Sequence, residues 1–265
     1  MKTRRTSATG ALTLVPRWRA TSRSAVEIVS TWRAVTIFTE GISSSSEITV
    51  SLRKRTGCLA KIAAVRAAAG AGATVMVDAN QAWDLDAALA MAAALAASAP
   101  AWLEEPLRAD RPWREWQQLA AASMVPLAAG ENAIGDAAFD ALIASRAIAV
   151  VQPDLAKWGG ISGVLGVIDR VAAAGLRYCP HYLGAGIGPL ASAHVLAACG
   201  DALGWLEVDA NENPLRTLLC PPLATLANGR IELSGAAGLG CEPDLAGLRA
   251  MCSGLRAMCS GRRST

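Results

Sequence analysis

The 265-residue sequence has no Cys-x-x-Cys pair, only two histidines and no apolar run long enough to cross a bilayer. Its seven cysteines are scattered, and such an odd, irregular set argues against a disulfide framework or a zinc site and favours a reducing compartment. The most apolar stretch, residues 87–101, is Ala-rich and helical in pattern, and no apolar h-region follows the basic N-terminus. We therefore expect a cytoplasmic protein that is neither inserted in a membrane nor secreted.

Positive charge is confined to the N-terminal end. Residues 1–57 hold ten Lys or Arg and three Glu, whereas the rest of the chain holds 15 basic and 19 acidic residues. Residues 1–48 are rich in Arg, Ser and Thr and lack sustained helical or strand periodicity, which is typical of a poorly ordered segment or of a transit peptide. No aromatic-basic motif accompanies the arginines, so we expect no nucleic-acid partner.

From about residue 49 onward, short apolar runs alternate with helix-like segments. The clear runs lie near residues 75, 102, 127, 149, 177 and 205, and they lack the alternation of a half-exposed strand, as parallel strands buried on both faces do. Each run ends in a polar residue, 23 to 27 positions after the previous one: Asp78, Glu104, Glu131, Asp154, His181 and Glu207. Strand and helix alternating at this interval are typical of βα units.

The predicted fold is an α/β protein of the (β/α) TIM-type barrel class, in which eight such units close a barrel of about 250 residues. A seventh unit near residue 52 is weak and the eighth is not found, so the predicted barrel is incomplete at its N-terminal end. The expected organisation is a poorly ordered basic segment over residues 1–48, a barrel domain over residues 49–245 and a tail over residues 246–265. Asn228-Gly229 predicts a hairpin. The tandem duplicate GLRAMCS at residues 247–260 is expected to have no packing role.

Asp78, Glu104 and Glu131 end three consecutive predicted strands. Because the C-terminal ends of barrel strands meet at one face, these carboxylates would converge and repel one another unless a cation lies among them. Oxygen ligands without a nearby His or Cys favour a hard ion such as Mg²⁺. Alternatively, each acidic residue only stabilises the N-terminus of the next helix. Three adjacent occurrences favour the metal site.

His181 also follows a predicted strand end, and Asp154, one strand earlier, could hydrogen-bond its ring. Such a pair fixes the tautomer and raises the basicity of the imidazole, which prepares a general base for work near neutral pH. Glu207 could approach the same centre and, if protonated, donate a hydrogen bond to a developing oxyanion. The second histidine, His194, lies in an apolar helical run and is assigned no role.

Five short motifs together resemble the enolase superfamily in its mandelate racemase-like branch. They are VDANQAW at residues 77–83, LEEPL at 103–107, GEN at 130–132, QPDLAKWGG at 152–160 and Pro180-His181. The resemblance is dense from about residue 59 to 245. It implies a modified βα-barrel with Mg²⁺ as cofactor. It also implies a small-molecule carboxylate substrate and a homo-oligomer.

The same resemblance implies roles for individual residues. Asp78, Glu104 and Glu131 would bind Mg²⁺, with Glu104 rather than Glu105 as the ligand of that pair. His181 and Asp154 would form the base dyad, and Glu207 would stabilise the enolate. Asn80 matches a residue near the substrate. Lys157 matches a recurring lysine that could contact substrate. A solvated or structural role for Lys157 is an equal alternative.

The implied reaction is abstraction of the proton α to a carboxylate through an enediolate. Loss of a β-hydroxyl would complete a dehydration of a hydroxy acid or sugar acid, and reprotonation would complete a racemisation or epimerisation. Imidazole alone cannot remove this proton unless the second negative charge is neutralised as it forms. The protein is thus expected to be a Mg²⁺-dependent hydro-lyase or racemase.

Two departures from the family pattern bear on this expectation. Residues 1–48 do not resemble the family's N-terminal capping domain, and Arg53 and Arg55 stand where the family has a Lys-x-Lys pair. Arginine stays protonated and cannot act as a base, so dehydration, which can use His181 twice, is favoured over two-base racemisation. The alternative is a catalytically impaired truncated barrel. A phosphate-binding barrel is disfavoured, because the Gly-rich stretch Gly184–Gly188 does not open a dinucleotide-binding unit.

Overall fold

The computed structural model describes residues 25–32, 47–51, 58–70, 72–199, 204–209, 213–221 and 230–261. The strands are β1 (Ala25–Trp32), β2 (Glu47–Ser51), β3 (Thr74–Asp78), β4 (Leu103–Glu104), β5 (Leu127–Ala129), β6 (Val150–Val151), β7 (Arg177–Tyr178), β8 (Leu206–Asp209) and β9 (Arg230–Glu232). The helices are α1 (Cys58–Ala69), α2 (Leu85–Leu95), α3 (Trp113–Ala122), α4 (Asp136–Ala144), α5 (Gly160–Ala173), α6 (Ile187–Ala198), α7 (Pro214–Leu219) and α8 (Leu245–Gly261). A 3₁₀ turn over Ala96–Ser98 extends α2.

The first eight strands form one parallel sheet in the order β7-β6-β5-β4-β3-β2-β1-β8, and β9 pairs antiparallel with β1. The two ends of this order also meet. The guanidinium carbon of Arg177 lies 5.0 Å from the ring centroid of Trp205, and a Cβ on Gly204 would overlap the carbonyl oxygen of Tyr178. Each strand from β2 to β8 is followed by a helix, and parallel strands in a ring that alternate with outer helices are the architecture of a TIM-type barrel.

The six clear units lie where the apolar runs place them, and the weak unit near residue 52 corresponds to β2. β1 lies within residues 1–48, where the sequence pattern indicates no strand. It joins the sheet between β2 and β8, whose backbone groups supply its hydrogen-bond partners, so tertiary pairing outweighs a weak local pattern. Residues 1–24, 33–46 and 52–57, with Arg53 and Arg55, lie outside the described residues, as does the predicted hairpin at Asn228-Gly229.

Successive strand residues face opposite sides of the sheet, and this alternation separates two apolar cores. One core lies between the strands and the outer helices, with Trp116, Phe139 and Ile62 among its fully buried side chains. The other fills the barrel interior and consists of Met76, Trp102, Ala128, Val150 and Cys179, with Ala101 and Trp205 packed against it.

Four site residues lie two positions beyond a residue that belongs to the interior core or packs against it. Asp78 follows Met76, Glu104 follows Trp102, His181 follows Cys179, and Glu207 follows Trp205. Because residues two apart share a face, the interior core continues into the polar face at the C-terminal ends of the strands.

The first copy of the tandem duplicate lies in α8 rather than in an unpacked tail. Gly247, Leu248 and Met251 are half-buried on one face of the helix, and the N–H of Asp244 donates to the carbonyl of Leu218 in α7 at 2.7 Å. The expectation of no packing role is therefore wrong for this copy. Among the helices of the described residues, none combines the length and apolar character that a bilayer crossing requires.

Candidate active site

His181 lies at the C-terminal end of the barrel and is 5% exposed. Its Nδ1 is 3.0 Å from Oδ2 of Asp154. The other oxygen of Asp154 accepts the backbone N–H groups of Ala156 at 2.8 Å and Lys157 at 3.1 Å, which holds the carboxylate in place. Nδ1–H therefore donates to a fixed acceptor, and Nε2 faces the centre of the site.

Nε2 of His181 faces two carboxylates. It lies 2.9 Å from Oε2 of Glu131 and 3.8 Å from Oε2 of Glu207, and the latter oxygen also accepts the N–H of Tyr182 at 3.2 Å. Burial lowers the pKa of His181, but the negative charges of Glu207, Asp154 and Glu131 outweigh burial and raise that pKa well above its usual value. This arrangement therefore favours the protonated imidazole, which would pair with Glu131.

Glu131 is the charged partner in this arrangement. Burial raises the pKa of its carboxyl, but the hydrogen bond and charge of His181, together with Lys157, lower it to about 2. Lys157 Nζ lies 3.3 Å from Oε1 of Glu131, and its side chain is 39% exposed. The structure therefore places Lys157 against a predicted metal ligand; a contact with substrate stays a prediction.

Glu104 is buried in the barrel interior, where Trp102 Nε1–H donates to its Oε2 at 3.1 Å and the Gln152 side chain forms a second hydrogen bond. Asp78 lies opposite Glu104 in the pairing of β3 with β4. Burial, and then the charges of Asp78 and Glu207, raise the pKa of Glu104 well above its usual value. Burial also raises the pKa of Glu207, to about 7. The charge of His181 lowers this pKa, whereas the charges of Glu131 and Asp78 raise it.

The three predicted metal ligands, with Glu207, thus form a mutually repelling cluster of carboxylates. A donor set of carboxylate oxygens fits a hard divalent cation such as Mg²⁺, which would relieve the repulsion. Among the described residues, no three His, Cys, Asp or Glu side chains are already arranged around one metal position. Glu131 points its two oxygens at His181 and Lys157, so binding a cation would require it to exchange at least one of these partners.

Asn80 lies in the turn after β3. Its backbone N–H donates to Oδ1 of Asp78 at 2.6 Å, and its φ of +47° is in the left-handed region. This hydrogen bond orients Asp78 within the turn. It is not the helix-stabilising role that was the alternative to metal binding, because the N-cap of α2 is Asp84, whose side chain accepts the N–H of Ala87. The role of Asn80 toward substrate stays a prediction.

Several residues that contact the predicted ligands are absent from the sequence-based prediction. Trp102 and Gln152 both form hydrogen bonds to Glu104. Strand alternation could have identified both, because it places Trp102 on the same face as Glu104 and Gln152 on the same face as Asp154. Glu105 and Asn132 form a further pair, with Asn132 Nδ2 at 2.9 Å and 3.1 Å from the two oxygens of Glu105. Burial, followed by the charge of Glu131, raises the pKa of Glu105 to about 7.

Comparison with known proteins adds an independent line of evidence. Residues 45–247 match the family model described as Enolase C-terminal domain-like. The L-talarate/galactarate dehydratase of Salmonella typhimurium is 34% identical over 180 residues, which cover 68% of this chain and 42% of that enzyme. The chain therefore spans less than half the length of this relative.

Solved structures agree with this match. A mandelate racemase/muconate lactonizing enzyme from Bordetella bronchiseptica RB50 is 50% identical, with a TM-score of 0.76 over 86% of this chain and 65% of that one. A racemase from Streptomyces coelicolor A3(2) with bound magnesium is 19% identical and shares the fold, with a TM-score of 0.70 over 86% of this chain and 63% of that one. The chain belongs to the enolase superfamily, in its mandelate racemase/muconate lactonizing enzyme family.

Proposed function

We propose that this chain uses Mg²⁺ and removes the proton α to the carboxylate of a sugar acid or hydroxy acid, and that loss of the β-hydroxyl completes a dehydration. The proposal is carried by the placement of His181, whose Nδ1 is held by Asp154 and whose Nε2 faces the carboxylate cluster. The dehydratase activity named for the Salmonella typhimurium relative supports a sugar acid as the substrate class.

Asp78, Glu104 and Glu131 are the residues that would hold Mg²⁺. When bound, the ion supplies positive charge that offsets the second negative charge developing on the substrate carboxylate. Glu131 would then no longer pair fully with His181, so one of the charges that raise the pKa of the imidazole would be offset. A neutral imidazole near neutral pH is the form that can accept a proton.

His181 would act as the base at Nε2. The α C–H bond breaks, its proton passes to Nε2, and its electron pair forms the enediolate. Asp154 keeps the ring oriented through Nδ1 and stabilises the imidazolium that results. The same imidazolium can return the proton to the β-hydroxyl as the C–O bond breaks, so that water leaves and the base is regenerated.

Glu207 would assist from the other side of the imidazole. With a pKa of about 7, a substantial fraction of its carboxyl is protonated at neutral pH. A protonated carboxyl can donate a hydrogen bond to the oxyanion as it forms, which contributes most where water is excluded. Truncating it to an apolar side chain should therefore lower kcat.

The first experiment measures exchange of the α-proton in D₂O. The full chain is mixed with Mg²⁺ and a panel of aldaric and aldonic acids, and loss of the α-proton signal is followed by ¹H NMR. His181→Asn should abolish exchange, and Asp154→Asn should slow it by at least about a hundredfold, the usual contribution of a positioned acid or base. His194→Asn is the matched control, because His194 lies on α6 with Nε2 at 3.0 Å from the carbonyl of Leu239.

The outcomes separate the candidate functions. Full exchange by the His181→Asn variant would overturn the dyad assignment. Exchange with release of water and formation of a 2-keto acid establishes dehydration, whereas exchange with inversion at the α-carbon establishes racemisation or epimerisation. Absence of exchange with every acid, in a protein that still binds Mg²⁺, supports the alternative of a catalytically impaired barrel.

A further inference from the structure

Glu105 is a buried carboxylate that the proposed reaction does not use. Glu105 is only 2% exposed, and it directly follows the predicted ligand Glu104 in the sequence. Its φ of +39° is in the left-handed region, which a non-Gly residue adopts rarely and keeps only where its surroundings impose it. Unlike Glu104, it contacts the loops that follow β3 and β5.

The loop after β5 is held through Asn132. The Nδ2 atom of Asn132 lies 2.9 Å and 3.1 Å from the two carboxylate oxygens of Glu105 and 3.2 Å from Oε1 of Glu131. An amide NH₂ group has two N–H donors, so one can serve each carboxylate. Asn132 is itself exposed, and its buried partner Glu105 therefore sets its orientation.

The loop after β3 is held through Gln81. Its backbone N–H donates to the carbonyl of Glu105 at 2.7 Å, and its side chain also hydrogen-bonds the Glu105 carboxylate. Gln81 likewise has a left-handed φ, of +60°. Glu105 thus joins the strand ends that carry Asp78, Glu104 and Glu131.

We propose that Glu105 is a positioning residue that acts through Asn132 to orient the carboxylate of Glu131 for Mg²⁺. We call the pair Glu105 and Asn132 the carboxylate–amide clamp. The inference rests on the metal site of the proposed function, and it makes Glu105 a support for a ligand rather than a ligand. Partners that orient metal ligands typically change metal affinity by about 10- to 100-fold when they are removed.

The test measures binding of Mg²⁺ alone to the full chain by isothermal titration calorimetry. Glu105→Gln and Asn132→Ala should each weaken Mg²⁺ binding by about 10- to 100-fold, and the double variant should be no weaker than the weaker-binding single variant. Glu115→Gln is the matched control. Glu115 is also a buried carboxylate, but it lies on the outer helix α3 and is paired with Arg111, so its loss should leave Mg²⁺ affinity unchanged.

Each outcome decides the proposal. Wild-type affinity in both single variants overturns the clamp and leaves the proposed reaction standing. Losses that add in the double variant overturn the route through Asn132. If the wild type binds no Mg²⁺, the clamp and the proposed function fall together, whereas Mg²⁺ binding without α-proton exchange removes only the proposed function. If Glu105→Gln does not fold, the Mg²⁺ affinity of Asn132→Ala, a substitution at an exposed residue, tests the clamp by itself.

Discussion

Raising the pH from about 5 to about 8 in the presence of EDTA should lower the free energy of unfolding. The reason lies in buried carboxyl groups that are protonated more readily in the folded protein than in the unfolded chain. Burial, followed by the charge of Glu131, raises the pKa of Glu105 from 4.5 to about 7. Burial has the same effect on Glu207, whose pKa is also about 7.

The sign follows from proton binding. Between pH 4.5 and about 7 the folded protein keeps a proton on Glu105 that the unfolded chain has lost, so this contribution is fully present below pH 4.5 and is lost as the pH rises through about 7. His181 acts in the same direction above pH 6.5, because the carboxylates around it outweigh burial and raise its pKa. The lowered pKa of Glu131 affects stability only below pH 4.5.

The size of the effect can be taken from Glu105 alone, whose side chain is almost fully buried. A rise in pKa from 4.5 to about 7 corresponds to about 3 kcal/mol, at about 1.4 kcal/mol per pKa unit. Because a domain is typically stable by only about 5–15 kcal/mol, such a loss is a large fraction of the total.

Urea unfolding followed by tryptophan fluorescence, at several pH values with EDTA, measures this loss. With a slope of about 2–3 kcal/mol per molar urea, the midpoint should fall by about 1 M or more across the range. Added Mg²⁺ should raise the midpoint more at the higher pH, because the carboxylates must be deprotonated to bind a metal. A midpoint that is constant or rises with pH in EDTA would refute the reasoning.

Three further changes test the packing around the site. Gly130→Ala should cost more than about 1 kcal/mol, because Gly130 has a φ of +141° and a Cβ there would lie 2.7 Å from the backbone nitrogen of Gln152; unchanged urea stability would contradict this. Trp102→Phe keeps an aromatic ring in the barrel interior but removes the N–H that donates to Glu104, for an expected loss of about 1 kcal/mol or more, and a calorimetric Tm equal to that of the wild type would count against it. Phe139→Ala should cost about 3–5 kcal/mol, since the ring is fully buried between α4 and the rest of the outer core; a loss below about 1 kcal/mol in chemical unfolding would show that the site collapses or is not packed as described.

The strands and helices from β3 to β8 could be predicted because their patterns are local. A parallel strand buried on both faces requires a short apolar run, and the runs near residues 75 and 127 became β3 and β5. β1 could not be predicted in this way, because its partners β2 and β8 are distant in sequence and its own residues carry no sustained alternation. Its place in the sheet depends on pairing rather than on local preference.

Side chains whose role depends on partners across the barrel could not be predicted from local patterns either. Strand alternation predicts that Glu105 faces away from Glu104, and its left-handed backbone with its hydrogen bond to Asn132 cannot be read from the motif LEEPL. The proximity of Lys157 to Glu131 is likewise a contact between loops of different βα units.

The sequence by itself determined which chemical groups stand at the strand ends: Asp78, Glu104, Glu131, Asp154, His181 and Glu207 recur at the interval of a βα unit, and an α/β barrel brings such ends to one face. Only the tertiary structure decided how these groups interact. Distances such as the 2.9 Å between His181 and Glu131, together with burial, set whether a proton resides on an imidazole or a carboxyl, and both depend on side chains that lie far apart along the chain.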